Sequence, residues 1–218
     1  DVYKRQNKYK YKSINLIGSK IDRFKNYVND NDYLRGVHNY NNASIAITIT
    51  QNLNLKNEQI KLAIKNFKGL PHRMETIYQS NRMVIINDSK STNGESTAAA
   101  LQCFDNIFWI LGGQPKSGGI GKSKNYLHKV VEVFLIGNSI RYFSNELTKT
   151  KRNLSVNKCI TLEKATELAF EKSLKSNFKN FVILLSPSAA SFDQFKNFED
   201  RGNKFKQIVK DKLNKGVK

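Results

Sequence analysis

Long apolar runs are missing from this 218-residue sequence. No stretch of about 18 apolar residues is present, so we expect neither a transmembrane helix nor contact with a membrane. The charged first residues are not followed by an apolar segment, which is unlike a secretory signal. The chain begins with Asp1 rather than Met, which indicates a piece cut from a longer protein. An apolar content of 39% is enough for one substantial core and part of a second.

Cysteine is also scarce. Cys103 and Cys159 lie far apart, without Cys-x-x-Cys spacing and without a nearby histidine. This favours two ordinary thiols in a reduced cytoplasm over a disulfide framework, and nothing is typical of a structural zinc site. The three histidines show neither the pattern of a catalytic triad nor that of a metal site.

Acidic residues are few beside the basic ones, with 18 Asp and Glu against 37 Lys and Arg and a net charge of +19. Such a charge suggests a nucleic-acid-binding protein. The lysines are spread along the whole chain, however, and Asn is also very frequent, which is typical of biased codon composition. No RNA-recognition strand, zinc finger or clear helix-turn-helix is visible. We therefore expect no nucleic-acid partner.

Two regions of different pattern follow one another along the chain. Residues 36–69 are predicted to be mainly helical, with apolar residues at helical spacing from Ile60 to Phe67. Gly69-Leu70-Pro71 is a break, and we place a domain boundary there, between residues 1–69 and 70–218.

After the break, apolar runs alternate with helical patterns. We predict a hairpin from 74–78 and 83–87, and buried strands at 107–111, 131–136 and 181–185. The predicted helices cover 94–104, a segment before Val131, 139–148, 162–174 and 193–213, the last with an interruption near Gly202. This order predicts an α/β fold with a mainly parallel, doubly wound, Rossmann-like sheet.

Open parallel sheets bind ligands beyond the carboxyl ends of their strands. Residues 87–93 form the first candidate loop, where Asp88 suits a nucleotide or a water-bound metal and Lys90 and Thr92 suit an anionic substrate. The alternative is that the Asp, Ser and Asn side chains of this loop only make a turn and cap the next helix.

The second candidate loop begins with Gly112-Gly113 and ends at Lys116, a point charge for a carboxylate or phosphate. Shortly afterwards Gly121-Lys122-Ser123 resembles the end of a P-loop. The first glycine of that motif would fall at Lys116, and no strand precedes it, so we interpret the match as coincidental.

The third candidate loop, 186–191, leads to the last helix. Ser191 and Gln194 fit the S-x-x-Q capping box, and a helix start there is also a natural carboxylate site. A lone serine without a His or Asp partner does not indicate a nucleophile. The residues alone therefore predict an α/β domain whose strand-end loops suit a small anionic ligand.

At these loops the sequence resembles the Mur ligase family, and most closely its D-glutamate-adding member. The matching stretches follow the order and spacing of the family from about Leu34 onward: GVHNYNNA (36–43), GLPHRMETI (69–77), INDSKSTNGESTAAAL (86–101), ILGGQPK (110–116) and LLSPSAASFDQFKNFEDRGNKF (184–205).

The resemblance implies an ATP-dependent ligase that adds D-glutamate to UDP-N-acetylmuramoyl-L-alanine in peptidoglycan precursor synthesis. Its substrate carboxylate is expected to become an acyl phosphate that the D-glutamate amine attacks. Residues 1–69 resemble the incomplete end of a central α/β ATPase domain, and 70–218 resemble the carboxy-terminal amino-acid-binding domain. ATP and Mg²⁺ are the implied cofactors, and a monomer is the implied state.

Carried over position by position, the resemblance places Asn39 and Asn42 near the adenine of ATP. Arg73 and Asp88 match residues that reach the nucleotide when the last domain closes. Together with Lys90, which matches a position near the reacting groups, they are the expected catalytic residues.

The implied D-glutamate site consists of Thr92, Lys116, Ser191, Phe192 and Phe198. Phe192 stands where a Leu is common in the family. The ligand has two carboxylates, which Lys116 and the expected helix start near Ser191 would partly neutralise.

Some family features have no counterpart here. The P-loop, the magnesium ligands and the carbamylated-lysine site are expected upstream, so the chain should be inactive alone and bind D-glutamate weakly at best. Residues 117–125 depart from the commonest acidic pattern. Two alternatives stay open: a Mur ligase with another amino-acid specificity, although an Asp-Asn-Pro-Arg motif is lacking, and a non-catalytic module that binds an acidic metabolite.

Overall fold

The computed structural model describes residues 24–28, 31–34 and 36–216 of the chain. They divide into two compact units, unit 1 up to Phe67 and unit 2 from Lys68. The division falls just before Gly69-Leu70-Pro71. Residues 1–23 of the predicted first domain lie outside the described part.

All regular secondary structure among the described residues of unit 1 is helical. It contains α1 (Lys25–Val28), a 3₁₀ turn (Asp32–Leu34), α2 (Val37–Asn52) and α3 (Asn57–Asn66). A small core joins Phe24, Ile47 and Ile60, and Asn31 donates a hydrogen bond to the Phe67 carbonyl at 2.8 Å. The helical prediction for 36–69 is confirmed, while the sheet expected of a partial α/β domain is not among these described residues.

Unit 2 is built on a six-stranded sheet in the order β1-β2-β7-β3-β5-β6. Its strands are β1 (Glu75–Gln79), β2 (Met83–Asn87), β3 (Ile107–Gly112), β5 (Val130–Ile136), β6 (Ser155–Ile160) and β7 (Phe181–Leu185). The hairpin partner β1 runs antiparallel to β2, and all other pairs are parallel. A separate two-residue ladder pairs β4 (Gln114–Pro115) with β8 (Ala189–Ala190).

Helices cover both faces of this sheet. They are α4 (Gly94–Gln102), α5 (Ile140–Thr150), α6 (Leu162–Leu174) and α7 (Phe198–Asn214). Along β3, Ile107, Trp109 and Leu111 belong to the core shared with α4 and α5. Phe108 and Ile110 belong to the core shared with α6 and α7. Alternate side chains of a strand point to opposite faces, so the predicted mainly parallel, doubly wound α/β sheet is confirmed.

Three local features refine or depart from the predictions. The helix predicted before Val131 is confirmed, and it is a 3₁₀ helix, Gly121–Lys129. Strand β6 was not predicted, because its residues are polar and mostly accessible at the edge of the sheet. The last helix begins at Phe198 rather than near residue 193, and it runs without interruption through Gly202.

The start of α7 has a simple physical cause. The Asn197 side chain accepts a hydrogen bond from the Asp200 amide at 2.7 Å, and Glu199 and Asp200 occupy the first turn. An Asn cap followed by acidic residues is a favourable helix start. Ser191 therefore caps no helix, and the capping-box interpretation of Ser191 with Gln194 was wrong.

Candidate ligand site at the carboxyl edge of the sheet

The three loops predicted to carry function lie side by side. Strands β2, β7 and β3 are neighbours in the sheet and parallel to one another. They end at Asn87, Leu185 and Gly112, respectively, so the loops that follow them emerge at the same edge. This is the edge at which open α/β sheets bind their ligands.

Asp88 joins the first of these loops to the third. Its Oδ2 accepts a hydrogen bond from the Ser186 hydroxyl at 2.9 Å, and its Oδ1 accepts one from the Met74 amide at 3.1 Å. Its own amide donates to the Leu185 carbonyl at 2.8 Å. The side chain is buried, and burial raises its pKa to about 6 although these hydrogen bonds and the charge of Arg73 oppose the rise. A buried carboxylate of this kind is further stabilised by a cation that approaches it.

A buried arginine, which the sequence reasoning missed, braces the same two loops. Arg201 of α7 is 1% exposed. Its Nη2 donates to the carbonyls of Ser89 at 2.8 Å and Ala189 at 3.1 Å, and its Nε donates to the Ser89 hydroxyl at 3.0 Å. Burial lowers its pKa to about 10, with Asp193 opposing the shift, so the guanidinium stays charged at neutral pH. Helical spacing with Phe205 and Ile208, both buried, was the signal available for it.

Lys90 and Phe198 come together although they are distant in sequence. The Lys90 Nζ lies 3.8 Å from the centroid of the Phe198 ring, within cation–π distance. The Ser89 hydroxyl donates to the Phe198 carbonyl at 2.8 Å, and the Lys90 amide donates to the His72 carbonyl at 3.0 Å. One predicted catalytic residue and one predicted D-glutamate residue are thus in contact.

His72 contacts both residues of this pair, Phe198 through its ring and Lys90 through its carbonyl. It is buried with a left-handed φ of 63°, and its ring packs edge-on against Phe198 at 6.1 Å. Its Nδ1 lies 3.0 Å from the Asn87 Nδ2, an atom that can only donate, so Nδ1 accepts. Burial lowers the pKa of His72. The neighbouring Arg73 is exposed, and its charge lowers the pKa of Asp88.

Lys116 and Ser191 are placed by the β4–β8 ladder. Pro115 pairs with Ala189 and Gln114 pairs with Ala190, so Lys116 and Ser191 directly follow the two short strands. Gly113 permits the approach, since a Cβ on it would lie 2.3 Å from the Ala190 carbonyl oxygen. Lys116 is exposed and Ser191 is buried. The Ser191 carbonyl accepts from the amides of Gln194 and Phe195 in a turn.

The other predicted residues are distributed over both units. Thr92 is half-buried in the first loop, next to Asn93, which caps α4 by accepting from the Ser96 amide at 2.9 Å. Phe192 is 69% exposed at the rim. Asn39 and Asn42 lie on α2 of unit 1. Among the described residues, no group of three or more His, Cys, Asp or Glu side chains is placed to hold a metal ion.

The P-loop look-alike has a structural role. Gly121-Lys122-Ser123 opens the 3₁₀ helix, and the buried Ser123 hydroxyl donates to the Gly94 carbonyl at 2.8 Å. The segment does not follow a strand directly, so it lacks the strand–loop–helix context of a phosphate-binding loop.

The chain is similar in sequence to ligases of known name. No family model matches the chain. It is 42% identical over 177 residues to the UDP-N-acetylmuramoylalanine–D-glutamate ligase of Cereibacter sphaeroides, covering 81% of this chain and 36% of that protein. The ligases of the same name from Bradyrhizobium diazoefficiens and Rickettsia felis are 39% and 35% identical, covering 81% and 90% of this chain. The chain is a homologue of the Mur ligases. It spans 37% and 44% of the length of these last two relatives.

Solved structures agree on the fold. The UDP-N-acetylmuramate–alanine ligase of Thermotoga maritima matches 82% of this chain, and the chain covers 39% of it, with a TM-score of 0.59 at 17% identity. MurF of Acinetobacter baumannii matches 82% of the chain, which covers 38% of it, with a TM-score of 0.57 at 17% identity. The resemblance to the Mur ligase family is therefore confirmed in sequence and in fold. The part of the chain that is described contains no helix long and apolar enough to span a membrane.

Proposed function

We propose that this chain supplies the amino-acid-binding part of a Mur ligase that adds D-glutamate to UDP-N-acetylmuramoyl-L-alanine. The observation that carries the proposal is the convergence of the loops after β2, β3 and β7 at one edge of the sheet. Arg201 joins two of them, those after β2 and β7, by hydrogen bonds. The relatives at 35–42% identity bear the name of that ligase, which supports this specificity over another amino acid.

The proposed D-glutamate site comprises Thr92, Lys116, Ser191, Phe192 and Phe198. Lys116 neutralises a carboxylate of the ligand, while the hydroxyls of Thr92 and Ser191 supply hydrogen bonds. Phe198 offers an apolar surface to the methylene groups. Ser191 lies in a turn and not at a helix start. The ligand carboxylate at Ser191 is therefore not stabilised by a helix dipole, contrary to the expectation from the sequence.

The proposed reacting end of the site is formed by Arg73, Asp88 and Lys90. The buried Asp88 carboxylate, with its raised pKa, fits a cationic neighbour such as a hydrated Mg²⁺, and the exposed Arg73 fits a phosphate. ATP supplies the phosphoryl group that activates the muramoyl-alanine carboxylate. The side chains of this chain act by orienting the D-glutamate amine and neutralising phosphate charge, so no enzyme nucleophile is needed.

Unit 1 is proposed to be part of the ATP-binding domain. Asn39 and Asn42 on α2 are the adenine-binding candidates, and residues 1–69 and 70–218 are the proposed domains. Magnesium ligands and the P-loop are proposed to lie upstream. A cytoplasmic monomer fits this arrangement, because the family works through domain closure within one chain.

The test is a coupled assay of ADP release. The gene is expressed with all coding sequence upstream of Asp1 and supplied with ATP, magnesium and UDP-N-acetylmuramoyl-L-alanine, and candidate amino acids are added in turn. We expect release that depends on D-glutamate and collapses in Lys116→Ala. The matched control is Lys179→Ala, in the turn before β7 at the opposite edge of the sheet, which should behave as the wild type.

The other outcomes separate the alternatives. ADP release with a different amino acid would keep the family and overturn the specificity. A folded protein that binds D-glutamate but releases no ADP with any amino acid would favour a non-catalytic module. The isolated chain should bind D-glutamate only weakly, and micromolar affinity in a titration would contradict that expectation.

A further inference from the structure

The loop that carries Lys116 has little rigidity of its own. Gly118 and Gly119 follow Lys116, with φ values of 97° and 54°, and residues 116–118 are exposed. Inside the loop, the Gly119 amide donates to the Lys116 carbonyl at 3.2 Å and the Gly121 amide donates to the Gly118 carbonyl at 2.9 Å. Glycine-rich backbone is entropically costly to hold in one conformation, so its geometry depends on contacts from outside the loop.

A single carboxylate from α5 supplies such a contact. The Glu146 Oε2 accepts a hydrogen bond from the Ile120 amide at 3.0 Å. The same carboxylate lies against Gly119, because a Cβ on that glycine would be 2.1 Å from Oε2. Its other oxygen, Oε1, pairs with the Lys124 Nζ at 3.0 Å. Glu146 thus engages the loop just after the turn that follows Lys116.

The opposite side of the same turn is held by the loop after β7. The Ser188 hydroxyl donates to the Gly119 carbonyl at 3.3 Å, and Ser188 itself has a left-handed φ of 55°. The Ile120 side chain is fully buried in the core below. The backbone from Gly119 to Ile120 is therefore clamped between Glu146 and Ser188, three residues after Lys116.

We infer that Glu146 is a positioning residue for Lys116, holding the loop so that the ammonium group meets a carboxylate of the amino-acid substrate. The inference rests on the proposed function and adds a residue that does not touch the ligand. It also gives a role to residues 117–125: in this chain a carboxylate outside the loop, on α5, holds the segment that follows Lys116. The ion pair with Lys124 is secondary, because Lys124 is 41% exposed and exposed pairs contribute little.

The test compares three variants of the full-length protein by steady-state kinetics. Glu146→Ala removes the acceptor for the Ile120 amide. Glu146→Gln keeps that acceptor and loses only the ion pair, and Lys124→Ala loses the ion pair from the other side. We expect Glu146→Ala to raise KM for D-glutamate by roughly tenfold, the scale of one hydrogen bond to a charged group. KM for ATP and for UDP-N-acetylmuramoyl-L-alanine should not change, and the other two variants should stay within about twofold of the wild type.

The contrary results are distinct. An unchanged KM for D-glutamate in Glu146→Ala, in an enzyme that requires D-glutamate, would overturn the positioning role alone. A parallel rise of all three KM values would show a merely structural role. Equal damage from Glu146→Gln would show that the negative charge matters, and would overturn the role given to the hydrogen bond with the Ile120 amide. A wild type that does not depend on D-glutamate would overturn the proposed function and this inference with it.

Discussion

Two parts of the candidate site hold their functional groups in different ways. The junction of the loops after β2 and β7 is buried, with Asn87, Ser89 and Ser186 fully inaccessible and several hydrogen bonds from Arg201 across it. The loop after β3 is exposed and glycine-rich around Lys116. A buried polar network is costly to break because its members are left unsatisfied. Changes that leave a member of this network unsatisfied should therefore lower stability, and changes in the exposed loop should lower function alone.

The largest expected effect comes from removing the guanidinium at the centre of the junction. Arg201→Ala leaves the carbonyls of Ser89 and Ala189 without their donors in a buried site. We expect a loss of about 4 kcal/mol in the free energy of unfolding. Urea denaturation followed by the fluorescence of Trp109 measures it, because this single tryptophan is buried with its Nε1 donating to the Ser186 carbonyl at 2.7 Å.

The matched control is Arg141→Ala, which removes an exposed arginine from α5 and should change stability by less than about 0.5 kcal/mol. Equal effects of the two variants would remove the contrast between the buried junction and the exposed surface.

The next effect depends on pH and arises from Asp88. Its pKa is raised from 3.8 to about 6 in the folded protein, so the native state binds the proton more tightly than the unfolded state. The resulting stabilisation is present below about pH 4 and is lost as pH rises through about 6. Asp88→Asn removes this loss, since an amide can accept from Met74 and donate to the Ser186 hydroxyl.

Relative to the wild type, Asp88→Asn should gain on the order of 3 kcal/mol at pH 8 and much less at pH 4. Denaturation at the two pH values, followed by Trp109 fluorescence, measures the difference. The same variant should lose ligase activity if Asp88 acts at the nucleotide, a familiar conflict between stability and function. A shift of the same size at both pH values would contradict the raised pKa.

A smaller effect is expected where α7 approaches His72. Gly202 lies inside a helix, where Gly→Ala normally stabilises. Here a Cβ would lie 2.2 Å from the His72 Nδ1, so Gly202→Ala should instead destabilise by about 2 kcal/mol. The neighbouring Asn203→Ala, on the exposed side of the same turn, should be neutral or slightly stabilising. Thermal unfolding of both variants measures the two signs, and a stabilised Gly202→Ala would show that His72 moves aside freely.

The sheet could be predicted from the sequence because its strongest strands are fully buried. The apolar runs 107–111 and 181–185 coincide with β3 and β7 to within one residue, and both strands are covered on each face. Strand β6 carries no such signal, because an edge strand rich in polar residues resembles a loop. The placement of the three loops at the carboxyl ends of strands followed from the fold class alone, whereas their order along the edge comes from the structure.

The contacts inside the site could not be predicted in the same way. Arg201 is separated by 112 residues from its partner Ser89, and Glu146 by 26 from Ile120, so no local pattern connects them. The error at Ser191 has the opposite origin: a local capping pattern was present, but Asn197 with two acidic residues after it provides the better helix start.

The smallest effect on stability is expected at Lys116. This variant gives the sharpest contrast between the buried junction and the exposed loop after β3. Lys116 is exposed in the loop after β3. Lys116→Ala should therefore change the free energy of unfolding by less than about 0.5 kcal/mol, as surface substitutions usually do. The urea midpoint should match that of the wild type while D-glutamate-dependent ADP release is lost. A large loss of stability would mean that Lys116 supports the fold, and its effect on activity would then say nothing about substrate binding.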